Sequence, residues 1–493
     1  MSKQRIVILG GGPAGVAAGW KLAEKGHEII VLERDPQVGG QSITARRGDF
    51  RFDLGGHRFF TKYEDVEREV VELIGDEKLV TDRKSVIRLN NQYIQYPLEL
   101  GDLLSRMNPM VTVKAGVDYF SAAAKSRIFG RNDDSFEDWI VNRFGRTLYK
   151  IYFGMYTEKL WGIPGTQISA DWAAQRISLI NLWDVFVRLL GMKDDTPRTY
   201  LSEFIYPKWG IGTIPDKMAE KITARGGKIE LNAEVTGLKI EGRRITEVNF
   251  VQDGTPQSVT CDRVLGTIPL PELVKMMGLC QTADDLRMVG NMRFRALRFL
   301  NILLDFPAVS DNTWIYIPEE KYLFMRVQEP RNWSPFLAPE GKTSLILEIA
   351  CNRGDTIWSE DEEVIFRSCM PQLVELGLLR EDQTSKVIDY FRTEMTHAYP
   401  IYDLDYKQKI DHALRLCEQV DNLVTLGRQG LFRYNNMDHS LKMAFTAARY
   451  WDSPDVRKRV MAVASEQEGF EDKAADAAEV DEAPGADDVQ VRE

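Results

Sequence analysis

Gly10, Gly12 and Gly15 stand in a GxGxxG spacing between an apolar run, RIVILG, and an alanine-rich stretch, VAAGWKLAEKG. The spacing suits one kind of chemistry. The first glycine permits a tight turn, the second lets a pyrophosphate approach the backbone, and the third lets a helix lie close against a strand. Pro13 and Ala14 open that helix, whose first N–H groups are unpaired and whose dipole is positive at this end, so phosphates are drawn to it. Glu33 closes the next apolar run, HEIIVLERD, 18 residues after Gly15, where a carboxylate accepts ribose hydroxyls. Strand, glycine turn, helix, strand and acid together predict a βαβ unit that binds a dinucleotide. By itself the motif suits FAD and NAD alike.

The remaining elements must hold this turn in place. RIVILG is almost wholly apolar, as a parallel strand buried on both faces requires. Beyond Tyr63 the chain turns to helical patterning and aromatics for a length that no loop sustains. Alternation returns in GGKIELNAEVTGLKIEGRRITEVNFV, and CDRVLGTIP reads as a further buried strand. FRALRFLNILLDF and KTSLILEIA predict strands of a second sheet, SEDEEVIFRSCMPQLVELG a helix, NLVTLG a short strand, and Asp438 to Trp451 a last helix. The predicted architecture is α/β. A Rossmann-type domain is assembled from residues 1–62, 210–290 and 420–455, with a mostly helical insertion over 63–209. A mixed-sheet substrate domain spans 291–419, and an acidic tail expected to be disordered covers 465–493.

Composition narrows the class. Hydrophobic residues at 44% and charged residues at 28% fit a globular enzyme. No run of 18 apolar residues occurs, so no transmembrane helix is predicted. MSKQRIVILGGG reads as a first strand and not as a signal peptide. The five cysteines are scattered, without CxxC spacing, which predicts neither a disulfide framework nor a zinc site and points to the cytoplasm. Removing the −7 carried by Phe470–Glu493 from the chain's −11 leaves −4 for the body. With no basic stripe, nucleic acid is not an expected partner. A small molecule is, and the chain is compatible with a homo-oligomer.

DPQVGGQSIT, holding Gly40, Gln41 and Ser42 just past Arg34, together with Arg46 and Arg47, resembles the FAD-binding amine oxidase superfamily, where this stretch wraps the cofactor diphosphate. NLVTLG followed by GRQGLFRYNNMDHSLKMA resembles the late segment that brings a second helix start to the same cofactor. The resemblance implies FAD, with Gly56, His57, Val235, Gly427, Arg428, Asn436 and Met437 as further contacts and NAD(P)H as a candidate external reductant.

A narrower likeness runs in order over residues 4 to 450. LGGHRFF, NNQYIQYPLEL, YTEKLWGIPGTQISADWAAQR, RFRALRF, AYPIYD and GRQGLFRYNNMD resemble segments of UDP-galactopyranose mutases. That family implies a redox-neutral isomerisation of a nucleotide sugar, by way of a flavin N5–sugar adduct. It implies Arg176 and Arg295 against the diphosphate, His57 at the flavin, and Trp161, Tyr156, Tyr399 and Tyr434 around the substrate. The chain departs from the pattern twice. Arg-x-Pro-x-Arg appears as Arg176-Ile-Ser-Leu-Ile180, and a carboxylate is replaced by an amide in Tyr434-Asn435-Asn436-Met437-Asp438. The competing expectation is an oxidase or desaturase resembling protoporphyrinogen oxidase or phytoene desaturase, which takes hydride from an apolar substrate. MVTVKAGVDYF and LINLWDVFVRLLGM are the segments that would face a membrane in that case, although a buried core helix is the expectation for the second.

Overall fold

The computed structural model describes residues 3–89, 91–96, 109–176 and 203–466. Its centre is a parallel five-stranded sheet in the order Leu423–Thr425, Arg263–Gly266, β1 (Arg5–Leu9), β2 (Glu28–Leu32), Lys228–Glu230. β1 is apolar from Ile6 to Leu9 because it feeds two cores. Ile6 and Ile8 face the helices Pro13–Glu24 (α1), Thr213–Thr223 and Met437–Arg449. Val7 and Leu9 face a three-stranded antiparallel sheet (Ala233–Glu241, Arg244–Gln252, Thr255–Thr260) and the helices Leu270–Met276 and Tyr406–Cys417. Side chains alternate across a strand, so each face acquires its own apolar set.

The second sheet has seven strands, ordered Val387–Pro400, Phe294–Leu304, Thr343–Cys351, Arg326–Gln328, Trp314–Tyr316, Ser85–Leu89, Gln92–Tyr96. Phe294–Leu304 pairs antiparallel with neighbours on both sides and is buried along nearly its whole length. The segment expected to be mostly helical therefore also supplies strands. Ser85–Leu89 adds to the sheet in parallel with Trp314–Tyr316, and Lys78–Asp82 pairs with Glu203–Pro207. Ser85–Leu89 also forms a local hairpin with Gln92–Tyr96, but its pairing with Trp314–Tyr316 and that of Lys78–Asp82 with Glu203–Pro207 span more than a hundred residues, which no local pattern announces.

Helix Pro109–Phe129, which contains MVTVKAGVDYF, turns Ala115 inward and leaves Met110, Val113, Val117, Phe120 and Ile128 exposed. LINLWDVFVRLLGM (179–192) and the tail from 467 lie outside the described residues. No helix among the described residues is long and apolar enough to cross a membrane.

The loop that will face the cavity is set by a clasp at its base. Hairpin Thr44–Arg47/Phe50–Asp53 ends in Asp53, whose fully buried carboxyl accepts from Thr44 Oγ1 (2.6 Å), the Tyr206 hydroxyl and the Ile211 N–H (3.2 Å). Burial pushes this carboxyl up to about 6, against the hydrogen bonds that pull it down. Between its ordinary value near 3.8 and about 6 the folded chain keeps a proton that the unfolded chain has released. This contribution to stability therefore falls as pH rises through that window. Asp53→Asn cannot ionise, so thermal unfolding should show its stability relative to the parent improving between pH 4.5 and 7 by about 2 kcal/mol. An unchanged difference would mean that Asp53 does not titrate there.

Candidate functional site

A cavity of about 1000 Å³ opens at the carboxyl ends of β1 and β2 and continues to the face of the seven-stranded sheet. Ligands of open α/β sheets sit at such strand ends. The glycine turn makes one end. A β-carbon on Gly15 would lie 2.1 Å from the Gly10 carbonyl oxygen, so α1 can start this close to β1 only with glycine there. Gly10 itself sits at φ +99°, in the region that favours glycine. Gly40 would place a β-carbon 3.2 Å from Gly12 Cα, and Gly427 one 2.8 Å from Ala14 Cβ. Three separate chain segments thus converge on the first turn of α1, whose N-cap has no side-chain partner. A β-carbon on Gly12, by contrast, would meet nothing within 4 Å. That open side is the space a pyrophosphate needs.

Glu33 braces the turn. Its oxygens accept from Gly11 N–H (2.6 Å) and Asp35 N–H (2.9 Å), leaving a second lone pair on each for ribose hydroxyls. Burial raises its pKa, and the two N–H donors oppose the rise. Arg34, Gln41, Ser42 and Val235 line the same end, with Arg34 donating to Thr396 Oγ1 and Gln41 to the His397 carbonyl.

At the other end, loop Leu54–Phe60 presents Gly56 and His57. Gly56 leaves no room for a side chain, since its β-carbon would fall 2.4 Å from the Trp314 ring. His57 is held neutral: burial, followed by the nearby Arg428 charge, lowers it to about 4. Tyr399 and Tyr434 stack at 5.4 Å, and the Arg428 guanidinium lies over both, 4.6 Å from the Tyr434 ring and 5.5 Å from that of Tyr399. Arg428 is fixed by donating to the carbonyls of Asn435 and Ala398. Asn436 stands at the N-cap position of helix Met437–Arg449 without a side-chain capping bond, and this second helix start also opens on the cavity. Tyr156 is partly buried at the cavity wall, edge-on to Tyr316 at 5.7 Å.

Two sequence-based expectations, Arg295 and Trp161, are placed away from the cavity lining. Arg295 does not reach the cavity. Its buried guanidinium donates to the carbonyls of Leu160 (2.9 Å) and Lys159 (3.4 Å), capping helix Met155–Trp161, and Gly162 leaves it room. A cation at the carboxyl end of a helix is favourable there, and this one has no route to a substrate phosphate. Trp161 lies one layer behind the cavity, against Trp172 (5.0 Å), Tyr399 (5.9 Å) and Tyr434 (6.0 Å). Arg176 ends helix Ala170–Arg176, and its side chain is outside the described residues. Lys159, in the same YTEKLWG segment, donates to the carbonyls of Ile317, Glu319 and Phe324 and ties the helix to the second sheet.

Two charged residues that the motifs did not single out line the cavity. Arg326 and Glu348 form an ion pair at 2.5 Å in the cavity wall, with Trp314 and Tyr316 beside them. One signal was available. A lone acid inside the apolar strand TSLILEIAC demands a buried partner.

Comparison with known proteins follows this geometry. Residues 13–423 match the family described as flavin containing amine oxidoreductase. The solved structure of reduced UDP-galactopyranose mutase superposes with a TM-score of 0.80 at 21% identity, covering 95% of this chain and 100% of the other. A probable UDP-galactopyranose mutase of Klebsiella pneumoniae is 27% identical over 182 residues, 35% of this chain and 44% of the relative. An L-amino-acid oxidase of Sistrurus catenatus edwardsii is 40% identical over 280 residues, 53% of this chain and 50% of the relative. The chain thus spans about half the length of these curated relatives.

The cavity suits a flavin dinucleotide on its own evidence: the glycine cradle, two helix starts, and the Asn435 Nδ2, buried in the wall without a hydrogen-bond partner. Gly12→Ala should therefore leave thermal stability within ~0.5 kcal/mol of the parent while sharply lowering flavin content, read as flavin absorbance per protein after desalting. Gly15→Ala should instead destabilise the fold by about 3 kcal/mol, because the clash is with backbone. Full flavin content in Gly12→Ala would move the pyrophosphate elsewhere.

Proposed function

This chain belongs to the flavin containing amine oxidoreductase family, and we propose that, as an FAD-dependent enzyme, it acts on an anionic nucleotide sugar, isomerising the sugar ring in the manner of UDP-galactopyranose. One observation carries the reading. Tyr399 is bracketed by two guanidiniums, with Arg428 over its ring and Arg326 donating to its hydroxyl at 2.6 Å. Glu348 is the one carboxylate in that group, and His57 is neutral. Around Tyr399 two guanidiniums face one carboxylate, and aromatic rings wall this part of the chamber. Such walls suit a sugar or a base, and the charge suits a phosphate. A substrate ammonium about 5 Å from an unscreened guanidinium would lose about 3 kcal/mol, which disfavours a simple amine. A carotenoid-like apolar substrate would have to desolvate Arg326 and Tyr399 without replacing their partners.

The residues divide the work. Gly12, Gly40, Gly427 and the start of α1 would hold the diphosphate of FAD, and Glu33 its ribose. When bound and reduced, FAD supplies the nucleophilic and redox chemistry. Tyr399, Tyr434 and Tyr156 bind and orient the sugar nucleotide. Burial pushes the Tyr399 phenol up to about 12, so it stays a hydrogen-bond donor at working pH. His57, lacking charge, can accept or donate without opposing the cations. Trp161 packs behind the tyrosines, and Trp172 packs edge-on to Tyr434 in the cavity wall.

A second reading draws on the same cation. Arg326 would also hold an amino-acid carboxylate, and the reaction would then be a net oxidation. The test separates the two. FAD-loaded protein, reduced anaerobically with dithionite or NADPH, is incubated with UDP-galactopyranose and related nucleotide sugars, and the products are resolved by chromatography. Ring isomers formed only by the reduced protein are expected. Peroxide released aerobically from L-amino acids, with no isomer formed, would replace this reading by the second.

A further inference from the structure

We infer that helix Pro109–Phe129 is a docking surface for an anionic lipid bilayer and lies flat on it along one apolar stripe. The inference is independent of which substrate the cavity takes. Its basis is a helix with its faces reversed. Met110, Val113, Val117, Phe120 and Ile128 are between 61% and 77% exposed, the five most exposed large apolar side chains among the described residues. At 3.6 residues per turn they fall within about 80° of one another, in a stripe about 27 Å long. The side turned to the body is small and polar instead. Ala115 is buried there, Asp118 accepts from the Thr147 N–H (3.0 Å) and hydroxyl (2.6 Å), and Ser126 donates to the Asn142 carbonyl (3.2 Å). Gly145 lets this side sit close, since a β-carbon on it would lie 2.8 Å from Asp118 Cβ. A surface helix of a globular protein normally turns its apolar stripe to the core. Here the hydrogen bonds fix the opposite orientation, and a contiguous apolar patch left in water marks an interaction site.

Charge selects the partner. Lys114 and Lys125 border one edge of the stripe and Arg127 the other, and all three are exposed. Their alkyl stems can lie along the apolar surface while the charges reach outward. The helix has one acid, Asp118, and its carboxylate is taken up by Thr147. The acids that follow are engaged as well, Asp133 with Arg143 and Asp134 with Asn132. An apolar stripe with basic borders is what a helix in the plane of a negatively charged membrane surface requires. A second copy of the chain fits less well. Antiparallel pairing along the stripe would set Lys114 of each copy against Lys125 of the other, and parallel pairing would bring the two Arg127 side chains together. With one side held to the body by Asp118 and Ser126, the helix can enter only the surface layer of one leaflet. From Thr147 the chain runs through Tyr149–Gly154 into helix Met155–Trp161, which carries Tyr156 to the cavity wall. The lipid-facing helix and the cavity wall are thus joined by one short run of chain.

The test floats the full-length, FAD-loaded protein with vesicles of phosphatidylcholine, alone or with about one-third phosphatidylglycerol, in about 0.1 M and about 0.5 M salt. The parent should float with the anionic vesicles at the lower salt and bind pure phosphatidylcholine at least about 30-fold more weakly. Raising the salt should release it. Val117→Gln/Phe120→Gln, at two exposed positions, should lower the partition coefficient by at least about tenfold, with flavin content and melting temperature at the parent level. Lys114→Gln/Lys125→Gln should lower it about 30-fold on anionic vesicles and leave the weak binding to phosphatidylcholine unchanged. Parental binding by Val117→Gln/Phe120→Gln, or no flotation of the parent with anionic vesicles, overturns the inference. Sedimentation velocity without lipid examines the other occupant. A parental dimer that Val117→Gln/Phe120→Gln converts to a monomer, with no vesicle binding by either, assigns the stripe to a second copy and overturns the lipid surface.

Discussion

Gly15 has no room for a β-carbon, and much else follows from that contact. With the Gly10 carbonyl 2.1 Å from where the β-carbon would lie, α1 begins directly against the end of β1. Its unpaired N–H groups then open at the carboxyl edge of the parallel sheet, where Gly40 and Gly427 close in from distant parts of the chain. Had the helix stood a few ångströms away, neither of those glycines would meet it, and Glu33 could not reach the Gly11 N–H. The nucleotide end of the cavity is thus a packing constraint before it is a binding site.

The opposite end is organised by buried charge. Removing an ion pair from water costs several kcal/mol per ion, and the mutual attraction of the pair returns this only with good geometry. Arg326 and Glu348 are therefore a poor way to stabilise a sheet, and apolar side chains in their place would serve stability as well. Their value lies in what they position: the Tyr399 hydroxyl on one side and the Gly56 N–H on the other. Arg295 offers the contrast. It too is buried, but its partners are main-chain carbonyls at a helix end, so its charge is absorbed by the fold and contributes nothing to the cavity.

Between these ends the walls come from both sheets and from helices in between. Lys159 shows how the parts are tied, since its three carbonyl acceptors lie in the turn leading into strand Arg326–Gln328. Burial lowers this lysine to about 8, so the tie itself carries a cost that the three hydrogen bonds offset. Within the segment whose aromatic and basic residues suggest substrate contact, Lys159 and Trp161 act as a brace, while Tyr156, Leu160 and Trp172 line the cavity.

The nucleotide end was legible in the sequence because its determinants are local. The glycine spacing, the apolar strands and the terminal acid lie within the first 35 residues, and each acts on its immediate neighbours. The second glycine pair after Glu33 and the late Gly427–Met437 segment could be added because likeness to a family supplies contacts that spacing cannot. The substrate end was not legible in that way. Arg295 and Arg326 both sit in strands among apolar residues, and nothing within a few positions of either says which will face the cavity. That choice follows from where helix Met155–Trp161 ends, which claims Arg295, and from the pairing of Arg326–Gln328 with Thr343–Cys351, which sets Arg326 opposite Glu348 in register. Local sequence determined where a dinucleotide can lie. Only the pairing of strands far apart in the chain decided which arginine faces the cavity, because a buried charge takes its role from the partners that tertiary packing brings to it.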